Sequence, residues 1–155
     1  MSEIVLREYI SADCENIIKL FYDTVHSVNA KDYTKEQLDA WAPENVDAEM
    51  WDRSLSENYT LAALIDDQIV GFGDIHSSGY LDRLYVHKDY QGKGIASKIC
   101  GRLENYFDIP RITVHSSITA KGFFIRRGYR VIKKQLVTRN NVQLANYVME
   151  KQAMS

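Results

Sequence analysis

The chain has 155 residues, 45% hydrophobic and 26% charged, with a formal net charge of −2 from 19 basic and 21 acidic side chains. That length holds one domain with a proper core, and the near balance of charge gives no support to a general nucleic-acid-binding role. No run approaches a membrane span, the first residues carry neither a basic leader nor a signal-like apolar run, and Cys14 and Cys100 sit in apolar helical patterns outside any metal-ligand cluster, reading as reduced core residues of a cytoplasmic protein.

In chain order, residues 4–9 form a short β-type run that polar residues around Ser11 bring to an end. Ile17, Ile18, Leu20, Phe21, Val25 and Val28 then recur at helical spacing over 12–28, with Ser11 as the predicted N-cap. Thr34 with Gln37 three residues on is a capping-box pattern that opens a short helix through Leu38 and Trp41, stopped at Pro43. A further helical piece at 47–55 carries Met50, Trp51 and Leu55 on one side. Runs at 59–65 and 68–76, joined by Asp66-Asp67, predict a hairpin, and 80–86 a third strand. Ile95, Ile99, Leu103 and Phe107 fall four apart and predict a helix ended before Pro110. A short strand at 112–114 and a helix at 119–127 closed by Gly128 follow, then strands at 129–138 and 142–151 joined by Asn140-Asn141.

The most informative stretch runs from Leu84 to Ser97: an apolar strand end, then Gln91-Gly92-Lys93-Gly94, opening directly into the helix that begins at Ile95. Glycines at a helix start let another group approach backbone N–H groups that have no intrahelical partner, and the helix dipole adds positive charge there. Such a turn cradles phosphate, or else merely links strand to helix. The spacing fits neither a nucleoside-triphosphate loop nor a dinucleotide fingerprint, because Gly92 starts no G-x-x-x-x-G-K-[ST] run and Ser97 stands at the third glycine position.

Read as Q-x-x-G-x-A after Leu84-Tyr85-Val86, the segment resembles the acyl-CoA pyrophosphate loop of the GNAT superfamily of N-acetyltransferases. Ser117 to Tyr129 looks like that family's N-x-x-A-x-x-x-Y-x-x-x-G-F segment, and the order of elements matches along essentially the whole chain. The resemblance implies an α/β (α+β) fold with a single domain over 1–155. Its sheet would be mixed, mostly antiparallel and twisted, of about seven strands flanked by helices and splayed at a central parallel pair. It implies acetyl-CoA as co-substrate, no metal, and a small-molecule or peptide amine as partner, without nucleic acid or membrane, and it admits a homodimer. A protein N-terminal or lysine acetyltransferase and a CoA-binding regulatory module without turnover are the alternatives.

By the same resemblance, Leu84, Tyr85 and Val86 hold the pantetheine arm, the Val86 N–H polarises the acetyl carbonyl, and Gln91, Gly92, Lys93, Gly94, Ile95, Ala96 and Ser97 hold the pyrophosphate. Ser117 stands at the family's asparagine and Phe124 at its tyrosine, the usual general acid, so the acid is unassigned. An aliphatic amine titrates near about 10.4, so its neutral form at pH 7 costs roughly 4–5 kcal/mol and a base is expected. No glutamate occurs between Tyr59 and Arg102, which leaves Asp82 as the candidate, on the same face as Leu84 and Val86 by strand parity. Asp82 could equally pair with Arg83 or Arg111. Substrate contacts are expected from Tyr22, His26, Tyr33 and Trp41 near the first two helices, and from His76.

Overall fold

In a computed structural model that describes residues 3–152, the elements run β1 (Val5–Glu8), α1 (Cys14–Ser27), α2 (Lys35–Trp41), α3 (Ala48–Glu57), β2 (Tyr59–Ile65), β3 (Gln68–Ile75), β4 (Tyr80–Val86), α4 (Ile95–Glu104), β5 (Arg111–Ser117), α5 (Lys121–Arg126), β6 (Arg130–Arg139) and β7 (Val142–Gln152). The strands form one seven-stranded sheet in the order β1-β2-β3-β4-β5-β7-β6. Every pairing is antiparallel except β4 with β5. The expected fold class is therefore the one observed.

Local chemistry accounts for most of these elements. Asp66 and Asp67, and again Asn140 and Asn141, hold φ of 51°, 64°, 47° and 66°. Two consecutive left-handed residues are what a two-residue hairpin turn demands, and Asp and Asn tolerate them. The Thr34 side chain accepts from Gln37 N–H at 3.2 Å while Gln37 Oε1 accepts from Thr34 N–H at 2.9 Å, the reciprocal cap anticipated for α2.

Four expectations need correction. Ser11 is not the cap of α1; it lies in a 3-10 turn, and its hydroxyl donates to Asp52 at 3.1 Å. Asp13 stands at the start of α1 without a side-chain cap bond to it; its carboxylate instead closes the 3-10 turn, accepting from Ile10 N–H at 3.0 Å and pairing with Arg7 at 2.7 Å. On α3, Leu55 is fully buried but Met50 is 60% exposed, since only Trp51 and Leu55 are a turn apart. The helix predicted to reach 107 stops at Glu104, and β5 extends to Ser117 instead of 114. Its polar residues alternate with buried Ile112, Val114 and Ser116, so the strand is half buried rather than apolar throughout.

The sheet carries a core on each face. Leu61, Ile75, Leu81 and Val86 pack with Ile95, Ile99 and Leu103 of α4, while Phe72 and Leu144 pack with Ile17, Phe21, Val25, Leu38 and Leu55 of the first three helices. At Gly73 a Cβ would sit 2.9 Å from Ile99 Cγ2, so only a glycine lets α4 lie this close to β3. Cys14 and Cys100 are buried and unpaired. Among the described residues, no helix is long and apolar enough to cross a membrane.

Candidate active site

The parallel pair β4–β5 is short: Tyr80 faces Thr113 and Leu81 faces Val114, and beyond Leu81 the described residues of the two strands no longer pair. The direction of the freed backbone follows from the antiparallel ladder on the other side. His87 N–H donates to Val70 C=O at 2.8 Å, so Arg83, Tyr85 and His87 turn their peptide groups to β3. The alternate residues, Leu84 and Val86, therefore turn theirs toward the gap left by β5. The Val86 carbonyl accepts from Gln91 Nε2 at 2.5 Å, which fastens the following loop and leaves the Val86 N–H facing the gap.

That gap is a cleft of about 700 Å³ bounded by Leu84, Tyr85 and Val86 on one side and by Ser117, Ala120 and Phe123 on the other. Its end is closed by Gln91, Gly92, Gly94, Ile95, Ala96 and Ser97. Gly92 and Gly94 have φ of +73° and +81°, and among the described residues a Cβ on either would meet no atom within 4 Å. The loop thus presents bare backbone to open space. The first bond of α4 joins Lys98 N–H to Gly94 C=O at 3.1 Å, so the N–H groups of Ile95, Ala96 and Ser97 are those the helix itself leaves over. A ten-residue helix aimed this way suits an anion such as a pyrophosphate.

A second, smaller cavity of about 220 Å³ lies on the other face of β4. Phe21, Tyr33, Trp41, Trp51 and Tyr85 form its aromatic wall, and Asp82, Arg83, His115 and Arg139 its charged or titratable part. Tyr85 and Ser117 border both cavities, so a group carried along β4 and a group held in the smaller cavity meet there. Ser117 Oγ accepts from Ala120 N–H at 3.0 Å and lies 3.5 Å from Asn29 Nδ2.

The charged residues have distinct situations. Arg83 pairs with the buried Asp74, donates to Ser54 Oγ at 2.8 Å and lies 4.9 Å from the centre of the Trp51 ring. Burial pushes the Asp74 carboxyl up, to about 6, against the pull of the Arg83 guanidinium. Asp82 Oδ2 is 3.7 Å from Arg83 Nη1, a loose contact, and the Asp82 side chain is 34% exposed to solvent. Burial, helped by the nearby Arg139 charge, holds the His115 imidazole below its usual range.

The structure brings together most of the expected cofactor residues and divides the expected substrate residues: Tyr33 and Trp41 line the smaller cavity, while Tyr22, His26 and His76 line neither. Leu84, Tyr85, Val86, Gln91, Gly92, Gly94, Ile95, Ala96, Ser97 and Ser117 all line the large cleft; Lys93 does not, its side chain standing in solvent. Tyr33 lines the smaller cavity, but as a strut: its hydroxyl donates to Ala145 C=O at 2.7 Å and accepts from Ile118 N–H at 2.9 Å. Tyr22 and His26 stack on each other at 4.2 Å outside both cavities, with His26 Nε2 bonded to Ala42 O at 2.7 Å. His76 is exposed and closes a turn through Ser78 at 2.9 Å. These three serve local packing because their helix face or strand end points away from the splay.

Asp82 reaches the site by a different route from the one parity predicts. Asp74 pairs with Arg83 and Ile75 with Leu81, so Asp82 is the extra residue of a β-bulge. The bulge resets the alternation: Leu81, Leu84 and Val86 pack in the α4 core, while Asp82 lines the opposite cavity with Tyr80, Arg83 and Tyr85.

Phe124 is also displaced from its expected place. It is 2% exposed, packed against the rings of Phe123 and Tyr129 at 5.2 and 5.0 Å, and it is Phe123 that faces the large cleft. Phe124→Tyr would bury a hydroxyl beside two rings, and we expect a loss of about 1–3 kcal/mol in denaturant unfolding with turnover little changed. A faster enzyme would instead place position 124 at the reacting sulfur. Sequence reading missed Trp51, Tyr80, His115, Arg139 and Asn146, all in the smaller cavity. The alternation Thr113, His115, Ser117 was the available signal for one of them, hidden by too short a strand assignment.

Residues 29–151 match the family described as Acetyltransferase (GNAT) domain. YafP, an uncharacterised N-acetyltransferase of Escherichia coli K12, is 31% identical over 149 residues, spanning 96% of this chain and 96% of that protein. A Rhodopseudomonas palustris structure described as GCN5-related N-acetyltransferase: Aminotransferase, Class-II superposes with a TM-score of 0.93 at 32% identity, covering 98% of this chain and 97% of that one. PaiA N-acetyltransferase of Thermoplasma acidophilum, solved in complex with coenzyme A, shares the fold at a TM-score of 0.79 and 20% identity, over 97% of this chain and 99% of that one.

Proposed function

The chain belongs to the GNAT acetyltransferase family, and from that premise we propose that it moves an acetyl group from acetyl-CoA to the primary amine of a small molecule by direct attack in a ternary complex. The observation that carries this reading is the meeting of two cavities at Tyr85 and Ser117. One is long, open and bounded by unpaired strand backbone and a helix start. The other is small, aromatic and supplied with a carboxylate.

In this reading the N–H groups from Gly92 to Ser97 hold the pyrophosphate, as does the dipole of α4. The peptide groups of Leu84 and Val86 hold the pantetheine arm as a partner strand would, and the Val86 N–H polarises the acetyl carbonyl. Asp82, through water, takes one proton of the ammonium, so that the neutral amine can form the new C–N bond as the C–S bond breaks; the nitrogen then sheds its second proton to solvent, leaving the amide. The thiolate leaves and takes its proton from solvent; a thiol titrating near about 8.5 needs little acid assistance at pH 7. Ser117 Oγ lies at the junction and can donate to the developing charge. The walls of the smaller cavity favour a small amine over a folded protein acceptor. We assign the activity to residues 1–155 as one domain, and place it in the cytoplasm, where buried unpaired thiols persist.

The test is a panel of primary amines with acetyl-CoA, following free thiol and acetylated product together. Equal release of thiol and N-acetyl product with at least one small amine is the expected result. Tight CoA binding with no product from any amine or peptide would make the chain a binding module instead.

A further inference from the structure

The charges of the smaller cavity do not balance internally. Arg83 is satisfied from beneath by Asp74, Ser54 and the face of Trp51. Among the described residues, Asp82 keeps only its long contact to Arg83. Arg139, at the end of β6, lines the same cavity and has no carboxylate within ion-pair distance among the described residues, although its charge reaches far enough inward to depress His115. The cavity therefore holds, among the described residues, a guanidinium with no carboxylate in ion-pair reach and a carboxylate with only a loose contact.

The backbone that carries Arg139 is fastened although its side chain reaches solvent. Asn140 Nδ2 donates to Ala40 C=O at 2.8 Å, Gln37 Nε2 to Gln143 C=O at 3.0 Å, and Tyr33 OH to Ala145 C=O at 2.7 Å. Three bonds thus clamp the β6–β7 hairpin onto the segment around α2. A planar, permanently charged fork on a fixed strand matches a carboxylate in two-point fashion, which a loose surface lysine does not.

We infer that the acceptor is an amino acid rather than a simple amine: its carboxylate is held by Arg139, its apolar body lies against Trp41, Trp51 and Phe21, and its amine is directed toward Asp82 and the junction at Ser117. A cavity of about 220 Å³ has the volume of about seven waters, which suits an acceptor of amino-acid size. This inference deepens the amine acetylation proposed above and rests on it.

Matched pairs that differ only in the carboxylate test it: phenylalanine against phenethylamine, tyrosine against tyramine, and 4-aminobutyrate against butylamine, assayed for kcat/KM in the wild type, Arg139→Gln and Arg139→Lys. In the wild type the acid of at least one pair should exceed its amine tenfold or more. Arg139→Gln should collapse that ratio toward one, mainly by raising KM for the acid, and Arg139→Lys should restore part of it. Amines that match or beat their acids, or an Arg139→Gln variant that keeps the ratio, overturn the proposal. Turnover of none of the six overturns it as well. Calorimetric titration with CoA then separates the two readings: CoA binding leaves the amine acetylation proposed above standing with another acceptor, and absence of CoA binding removes both.

Discussion

Asp82→Asn is expected to lower turnover of a primary amine about 100-fold or more at pH 7 and by much less at pH 9. Asparagine keeps the shape of the side chain on the bulge but cannot accept a proton. At pH 7 only about one in 2,500 molecules of an amine titrating near 10.4 is neutral, against about one in 25 at pH 9, so the need for a base fades as pH rises. A pH profile of kcat/KM reads this directly. A loss of equal size at every pH would mean that Asp82 acts by holding Arg83, 3.7 Å away, and not by moving a proton. His115→Gln belongs in the same experiment, because this imidazole, held below its usual range by burial, lines the same cavity. A pH-steep loss there, with a flat one at Asp82, would transfer the base role to His115.

Gly94→Val should weaken CoA binding about tenfold or more while leaving a folded protein. A β-branched residue at φ +81° costs roughly 1–2 kcal/mol in a left-handed conformation, which the loop would relieve by changing shape. The added methyl groups would occupy the open space in front of the helix start, since no described protein atom lies within 4 Å of that Cβ. Gly92→Val, at φ +73°, should act in the same direction. Calorimetry with CoA measures the affinity and thermal unfolding the cost in stability. Unchanged affinity in both variants would put the pyrophosphate elsewhere.

The parts of the molecule that were readable from the chain are those whose cause lies within a few residues. The Thr34–Gln37 box, the Asp66-Asp67 and Asn140-Asn141 turns and the run from Gln91 into α4 each rest on side chains and backbone that meet locally. Ser11 shows how narrow the margin is even there. It stood at the expected place, but its hydroxyl is drawn to Asp52 on α3, while the Asp13 carboxylate binds Ile10 N–H and Arg7 on the preceding strand. The open glycine turn at the start of α4 was legible because glycine at a helix start has few other uses, whereas Tyr22, His26 and His76 were ordinary polar or aromatic residues whose direction no local rule sets.

What the amino-acid order determined by itself is therefore the succession of elements, the family resemblance and the glycine turn that opens α4. Only the tertiary structure decided the acceptor side. The bulge opposite Asp74 and Ile75 turned Asp82 to the other face, a shift of one residue that strand parity cannot foresee. Arg139, His115 and Trp51 came together only because β6, β5 and α3 converge on one side of β4. The Tyr33–Ala145 bond that helps hold them spans 112 residues of chain. A cavity built from such distant pieces has no periodicity of its own, because its geometry is set by how layers pack and not by the conformational preferences of neighbouring residues.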